Sequence, residues 1–112
     1  MDEKTLAWLK FGRAELRDSL KRRLLSKFPD PLEAVRVDFS RVSPKLESER
    51  SSKRCLEDFV DQRSLDHDIA WCSKDRHFVV GISDDRFPRL LREVSCPPVM
   101  LYCQGNAEFH AQ

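Results

Sequence analysis

The chain has 112 residues and a mass of 13.1 kDa, enough for one domain or for one domain and part of the next. At that size roughly 65% of the unfolded surface can be buried. Charged residues make up 35% of the chain, hydrophobic ones 40%, and the mean hydropathy is -0.56. No apolar run approaches the ~20 residues that span a bilayer, which excludes a membrane protein. The sequence does not open on a secretory signal, so the expected location is the cytoplasm. The net charge of +1 conceals an asymmetry: residues 1–56 hold 14 Lys and Arg against 9 Asp and Glu, and residues 57–112 hold 6 against 10. A basic half followed by an acidic half points to nucleic acid or an acidic partner, or to pairing within or between chains.

In chain order, Asp2 to Phe11 reads as a short helix with Leu6, Leu9 and Phe11 on its apolar side, Trp8 near the edge, and Gly12 as its stop. A second helix follows, in which Leu16, Leu20, Leu24 and Phe28 recur every four residues and Leu25 widens the stripe. Its other faces carry Arg13, Arg17 and Lys21 at the same spacing, then Arg22, Arg23 and Lys27. Late cations also suit the negative end of a helix, so part of this cluster has a structural reason. Pro29-Asp30-Pro31 stops that helix and starts a short third one, with Asp30 as cap and Leu32, Val35 and Val37 as apolar positions. Ser43-Pro44 repeats the start signal before Lys45 to Glu49, and Ser48 to Arg54 reads as loop or helix start. From Cys55 to Ser73, Leu56, Phe59, Val60, Ile69 and Cys72 predict one long amphipathic helix.

The pattern then changes. Phe78 to Ile82 is a five-residue apolar run of strand type. Ser83 to Arg86 turns the chain, a helical turn passes through Leu90, Leu91 and Val94, and Cys96-Pro97-Pro98 breaks it. Val99 to Cys103 is a second strand, ended by Gln104-Gly105-Asn106. The expected fold class is therefore mainly α: a compact bundle of four to five helices over residues 1–76, then a two-strand segment over residues 77–112. Two strands joined by a crossover are not stable alone and read as the opening of a larger α/β domain.

Three constellations group residue types that carry chemistry. Cys55, Cys72, Cys96 and Cys103 form no CxxC pair, having 16, 23 and 6 residues between them. His67, Cys72 and His77 are five residues apart, a step of about 140° past a full helical turn, so they would not share a helix face; no metal or cofactor is expected. Asp66-His67-Asp68, with Ser64 and Ser73 nearby, groups catalytic residue types, but adjacent side chains point apart and no phosphate loop or nucleophile elbow exists. No catalytic residue is assigned, and an enzyme is not expected.

The segment Gly81 to Asn106 runs strand, Asp-Asp, Phe87-Pro88, Leu90-Leu91, Pro97-Pro98, Val99-Met100-Leu101-Tyr102 and Gly105-Asn106. In that order it resembles the DNA-processing protein A (Smf) family of bacterial natural transformation. The run LRDSLKRRLLSKFPDPLEAV is similar to that family's second and third helices, and the resemblance extends from about Leu6 to Asn106. It implies a helical domain like a sterile-alpha-motif (SAM-like) bundle ahead of a Rossmann-like domain. It also implies sequence-independent binding of single-stranded DNA, loading of the RecA recombinase during DNA recombination, and a homodimer.

In the family the main DNA site includes a glycine- and arginine-containing loop, and on this reading the chain ends before it. Phe87, Pro88, Leu90, Pro97, Pro98, Leu101, Tyr102 and Gly105 match the motif. Their expected role is structural: the prolines set the path of the chain, and Phe87, Leu90, Leu101 and Tyr102 pack under the sheet. Two departures stand out. The turn Phe11-Gly12-Arg13-Ala14-Glu15 has one glycine where a helix-hairpin-helix has two, and Phe87 stands where tyrosine is more usual.

Two functions follow as expectations. One is an accessory DNA-binding domain whose Arg13, Arg17, Lys21, Arg22 and Arg23 track a phosphate backbone. The other is a protein–protein or dimerisation module without DNA binding of its own.

Overall fold

A computed structural model describes residues 2–41 and 55–105. Ser43-Pro44, Lys45 to Glu49, Ser48 to Arg54 and Asn106 lie outside the described residues. Among those described are five α-helical segments, two short 3-10 turns and one two-stranded antiparallel sheet. No helix among them is long and apolar enough to cross a membrane.

Helix α1 spans Glu3–Arg13. The Asp2 carboxylate caps it by accepting the Thr5 N–H at 2.6 Å, and Lys10 and Arg13 lie in the last turn, where the helix dipole favours cations. Gly12 does not end this helix. A side chain there would crowd Met100 Sδ and touch the Tyr102 hydroxyl, so Gly12 marks a close approach to the sheet instead. Trp8 is not at the edge either: it is 2% exposed, with Phe11 at a ring-centroid distance of 5.7 Å.

Helix α2, Asp18–Lys27, begins later than the leucine spacing predicts, because Ala14 leaves the helix and forms a β-bridge with Val60. The expected stripe Arg13, Arg17, Lys21 is thereby divided. Arg13 closes α1, Arg17 is the N-cap of α2, and only Lys21 lies inside α2. Helix α3, Pro31–Ala34, starts as its sequence predicts, with Asp30 accepting the Leu32 N–H at 3.0 Å and Pro31 in the first turn. A 3-10 turn follows at Phe39–Arg41.

The single helix expected from Cys55 to Ser73 is two elements. Leu56–Phe59 is a 3-10 turn, Val60 is extended in its bridge to Ala14, and Asp61 then caps helix α4, Gln62–Cys72. Asp61 accepts both the N–H of Ser64, at 3.2 Å, and its hydroxyl, at 2.9 Å. A capping carboxylate and a non-local backbone pair outweigh a continuous apolar stripe here.

Strands β1, His77–Gly81, and β2, Met100–Gln104, pair antiparallel, with Val79 opposite Tyr102 and Gly81 opposite Met100. This corrects the expected crossover: the two strands are each other's partners. A lone hairpin-like pair needs a packing surface, and α1 supplies it. His77, Val79, Gly81, Met100, Tyr102 and Gln104 share the face toward the helices, where Trp8 lies against Gly81. Between the strands runs helix α5, Arg89–Arg92. The Arg86 guanidinium lies 5.7 Å over the Phe78 ring on the opposite face. Gly105, at φ 131, ends β2 in a conformation that side chains other than glycine rarely adopt. The core joins both segments of the chain: Ala7, Trp8, Leu9 and Phe11 of α1 with Leu24, Leu25, Leu56, Leu65, Val79 and Met100.

Candidate nucleic-acid interface

The five basic residues singled out by the sequence have three different fates. Arg13 donates from Nε and Nη2 to the two oxygens of Asp68, at 2.6 and 2.8 Å. Lys21 is 5% exposed, and its Nζ lies 4.0 Å from Asp18. Burial pulls the Lys21 pKa down and Asp18 opposes that shift. Arg22 is half-buried and donates to the Pro97 carbonyl at 3.3 Å. Arg17 and Arg23 are exposed. The fold therefore ties three of the five to partners within the chain and presents two outward.

The motif residues are similarly divided. Phe87 is buried, and Pro88, at φ -59, is the N-cap residue of α5. Pro97, Pro98 and Leu101 are half-buried, and Gly105 donates its N–H to the Arg76 carbonyl at 2.8 Å. Leu90 does not pack under the sheet. It is 66% exposed, and no residue of the four-residue α5 is buried. Tyr102 is 46% exposed and is anchored through its hydroxyl.

That anchor is the best-defined polar constellation among the described residues. The Tyr102 hydroxyl donates to Asp68 Oδ2 at 2.8 Å, so Asp68 accepts from Tyr102 on β2 and twice from Arg13 on α1. Asp68 itself is buried in α4. Burial works to raise its pKa, but the hydrogen bonds from Arg13 and Tyr102 outweigh it and hold the carboxyl below its ordinary value. Burial, then the bond to Asp68, pushes the Tyr102 phenol up to about 12. A fully satisfied charged pair at the meeting point of three elements is a structural pin.

The other constellations are absorbed by local structure. Asp66 accepts from Gln62 at 2.8 Å, Ser64 belongs to the α4 cap, and the Ser73 hydroxyl donates to the Ile69 carbonyl at 2.9 Å. His67 is exposed on α4, Cys72 ends that helix, and His77 opens β1. His77 Nδ1 lies 2.9 Å from the Trp71 carbonyl oxygen, which can only accept, so this nitrogen carries the proton. The four cysteines form no disulfide. Burial raises the thiol pKa of Cys72 and Cys103, and burial with Asp58 takes Cys55 to about 11. These thiols are poor nucleophiles.

One grouping escaped the sequence. The Trp71 ring lies 4.1 Å from that of His77, inclined at 32°, and meets Tyr102 edge-on at 5.5 Å. The three residues are far apart in sequence or of different element types, and only the strand register, pairing His77 with Gln104 and Val79 with Tyr102, assembles them. No family model, no curated protein and no solved structure matches this chain.

Proposed function

We propose that the chain is part of a single-stranded DNA-handling protein similar to DNA-processing protein A, within which it serves as an accessory DNA-binding or interaction domain. Loading of the RecA recombinase and homodimer formation belong to the same proposal, as do the SAM-like and Rossmann-like assignments of the two segments. The observation that carries it is the layout of residues 81–105. Strand, tight turn, buried Phe87, Pro88 heading a helical turn, Pro97-Pro98 and a second strand follow one another in the order of the family's motif.

Two outward arginines, Arg17 at the N-cap of α2 and Arg23 within it, support weak, sequence-independent phosphate contact and not a complete DNA site. Fluorescence anisotropy with a labelled single strand is expected to give a Kd of roughly 10⁻⁴ M for this chain, weakening as salt rises. The double variant Arg17→Ala/Arg23→Ala should lower the salt slope by about 1.4, since each lost phosphate contact removes about 0.7. Absence of binding at low salt would overturn DNA binding by this chain.

A second reading, as a protein-interaction module, has its own observation: Leu90 and Val94 are large apolar side chains left exposed. Sedimentation at low and high salt tests it. A dimer that dissociates in high salt indicates pairing of the basic and acidic halves. A salt-resistant dimer abolished by Leu90→Asp indicates the apolar patch, and a monomer throughout excludes self-association.

A further inference from the structure

The geometry points to a base-stacking platform for single-stranded DNA, built from Tyr102, Trp71 and His77 and flanked by Lys74 and Arg76. This deepens the DNA-binding reading above and rests on it. The buried aromatics Trp8, Phe11, Phe39 and Phe87 fill the interior, whereas Tyr102 is exposed and Trp71 and His77 are half-buried. All three keep part of their surface open to water. They are nevertheless held in place. Tyr102 is tied to Asp68 through its hydroxyl, and His77 is tied to the Trp71 carbonyl through Nδ1 while its ring lies over the indole. An aromatic surface that is fixed and partly open to water is what a base needs to stack on without an ordering cost, and stacking tolerates any base because each has a π-face.

The charge around the cluster suits a phosphate backbone. Lys74 and Arg76 occupy the turn between α4 and β1, joined to the aromatics by backbone bonds from Lys74 N–H to the Trp71 carbonyl and from His77 N–H to the Lys74 carbonyl, both 3.2 Å. The Arg76 side chain is exposed, with Asp75 at 4.0 Å. Arg13, which shares Asp68 with Tyr102, uses Nε and Nη2 on that carboxylate and has further N–H groups beyond these two. Asp68 is buried beneath Arg13 and Tyr102, which leaves Asp75 beside Arg76 and the exposed Asp2 near His77 as carboxylates that oppose these cations. The platform lies on α4 and the sheet, separate from Arg17 and Arg23 on α2.

The chain carries its own reporter, because Trp8 is buried and Trp71 is half-buried. Addition of a short oligothymidylate to the whole chain at low salt should quench Trp71, and a duplex of the same length should not. Trp71→Phe should abolish the quench. Tyr102→Ala should weaken binding about tenfold, whereas Tyr102→Phe, which keeps the ring and loses only its tie to Asp68, should weaken it by less. Lys74→Ala/Arg76→Ala alters exposed side chains only and should lower the salt slope by about 1.4. If the strand binds through Arg17 and Arg23 with Trp71 unquenched, or if the Lys74/Arg76 variant keeps the full slope, the platform is wrong and the DNA reading stands. Equal quenching by duplex also overturns stacking. Failure to bind by either readout sinks both.

Discussion

Gly81→Ala is expected to be the most damaging single methyl group in this chain. A Cβ at Gly81 would fall far inside van der Waals contact with the Trp8 ring carbons Cε2, Cζ2 and Cδ2. The indole cannot move aside easily, since it is itself buried and packed beside Phe11 in the middle of α1. Nor can the strand retreat, because Gly81 is held in register opposite Met100 and Ile82 donates to the Val99 carbonyl at 2.8 Å. Overpacking typically costs about 1–3 kcal/mol where neighbours can adjust. Here at least about 3 kcal/mol is expected, a large part of the ~5–15 kcal/mol that stabilises an ordinary domain. With an m-value near ~2 kcal/mol/M, the urea midpoint should fall by about 1.5 M or more. Trp8→Ala also destabilises, but in combination the two costs should be sub-additive by at least about 1 kcal/mol, because removing the ring removes the clash. A Gly81→Ala midpoint within error of the parent would show that the sheet does not rest on α1 in this way.

The sequence made the starts of α1 and α3 legible because capping is local, whereas α2, whose N-cap Arg17 makes no side-chain cap bond, begins later than its leucines suggest. Asp2 and Asp30 are followed by the N–H groups they accept within two or three residues, and Pro31 fits the first turn at no cost. The strands were legible to within one residue for a similar reason: apolar runs bounded by turn residues have few other uses. What was not legible depends on partners distant in the chain. The apolar stripe from Cys55 to Ser73 is broken by Val60 pairing with Ala14, a contact that no periodicity contains. That same bridge ends the first helix region and moves Arg13 onto a different helix from Lys21. A spacing of four therefore suggested a basic stripe that the fold takes apart. Leu90 is a case of the opposite kind, where the residue matches a motif but the four-residue helix leaves it outside. The aromatic platform required strand register, which is a tertiary fact and not a pattern in one segment.

Asp68→Ala should show how much the pin between α1, α4 and β2 contributes. Removal of one member of a buried ion pair typically costs about 3–5 kcal/mol because the other charge is left without a partner. Arg13 retains 39% side-chain exposure and can recover some hydration, so about 2–3 kcal/mol is the expected loss at neutral pH. Asp68→Asn, which keeps the shape and one acceptor, should cost less.

The pH dependence has a definite sign. The carboxyl titrates lower in the folded chain than in the unfolded one, so on acidification the unfolded chain takes the proton first. The contribution of Asp68 is complete at neutral pH and is lost as pH falls below the ordinary carboxylate value of 3.8 toward the lower folded value. Parent and Asp68→Ala stabilities should therefore converge in acid and differ most near neutrality.

Tyr102 provides an independent reading, because it is the only tyrosine among the 112 residues. Its phenolate absorbance should appear with a midpoint of about 12 in the parent, and Asp68→Asn should move that midpoint toward 10.0 without reaching it, since burial of the ring persists. Unchanged tyrosine titration together with a stability loss under about 0.5 kcal/mol, the range of ordinary surface substitutions, would show that Asp68 does not hold the three elements together.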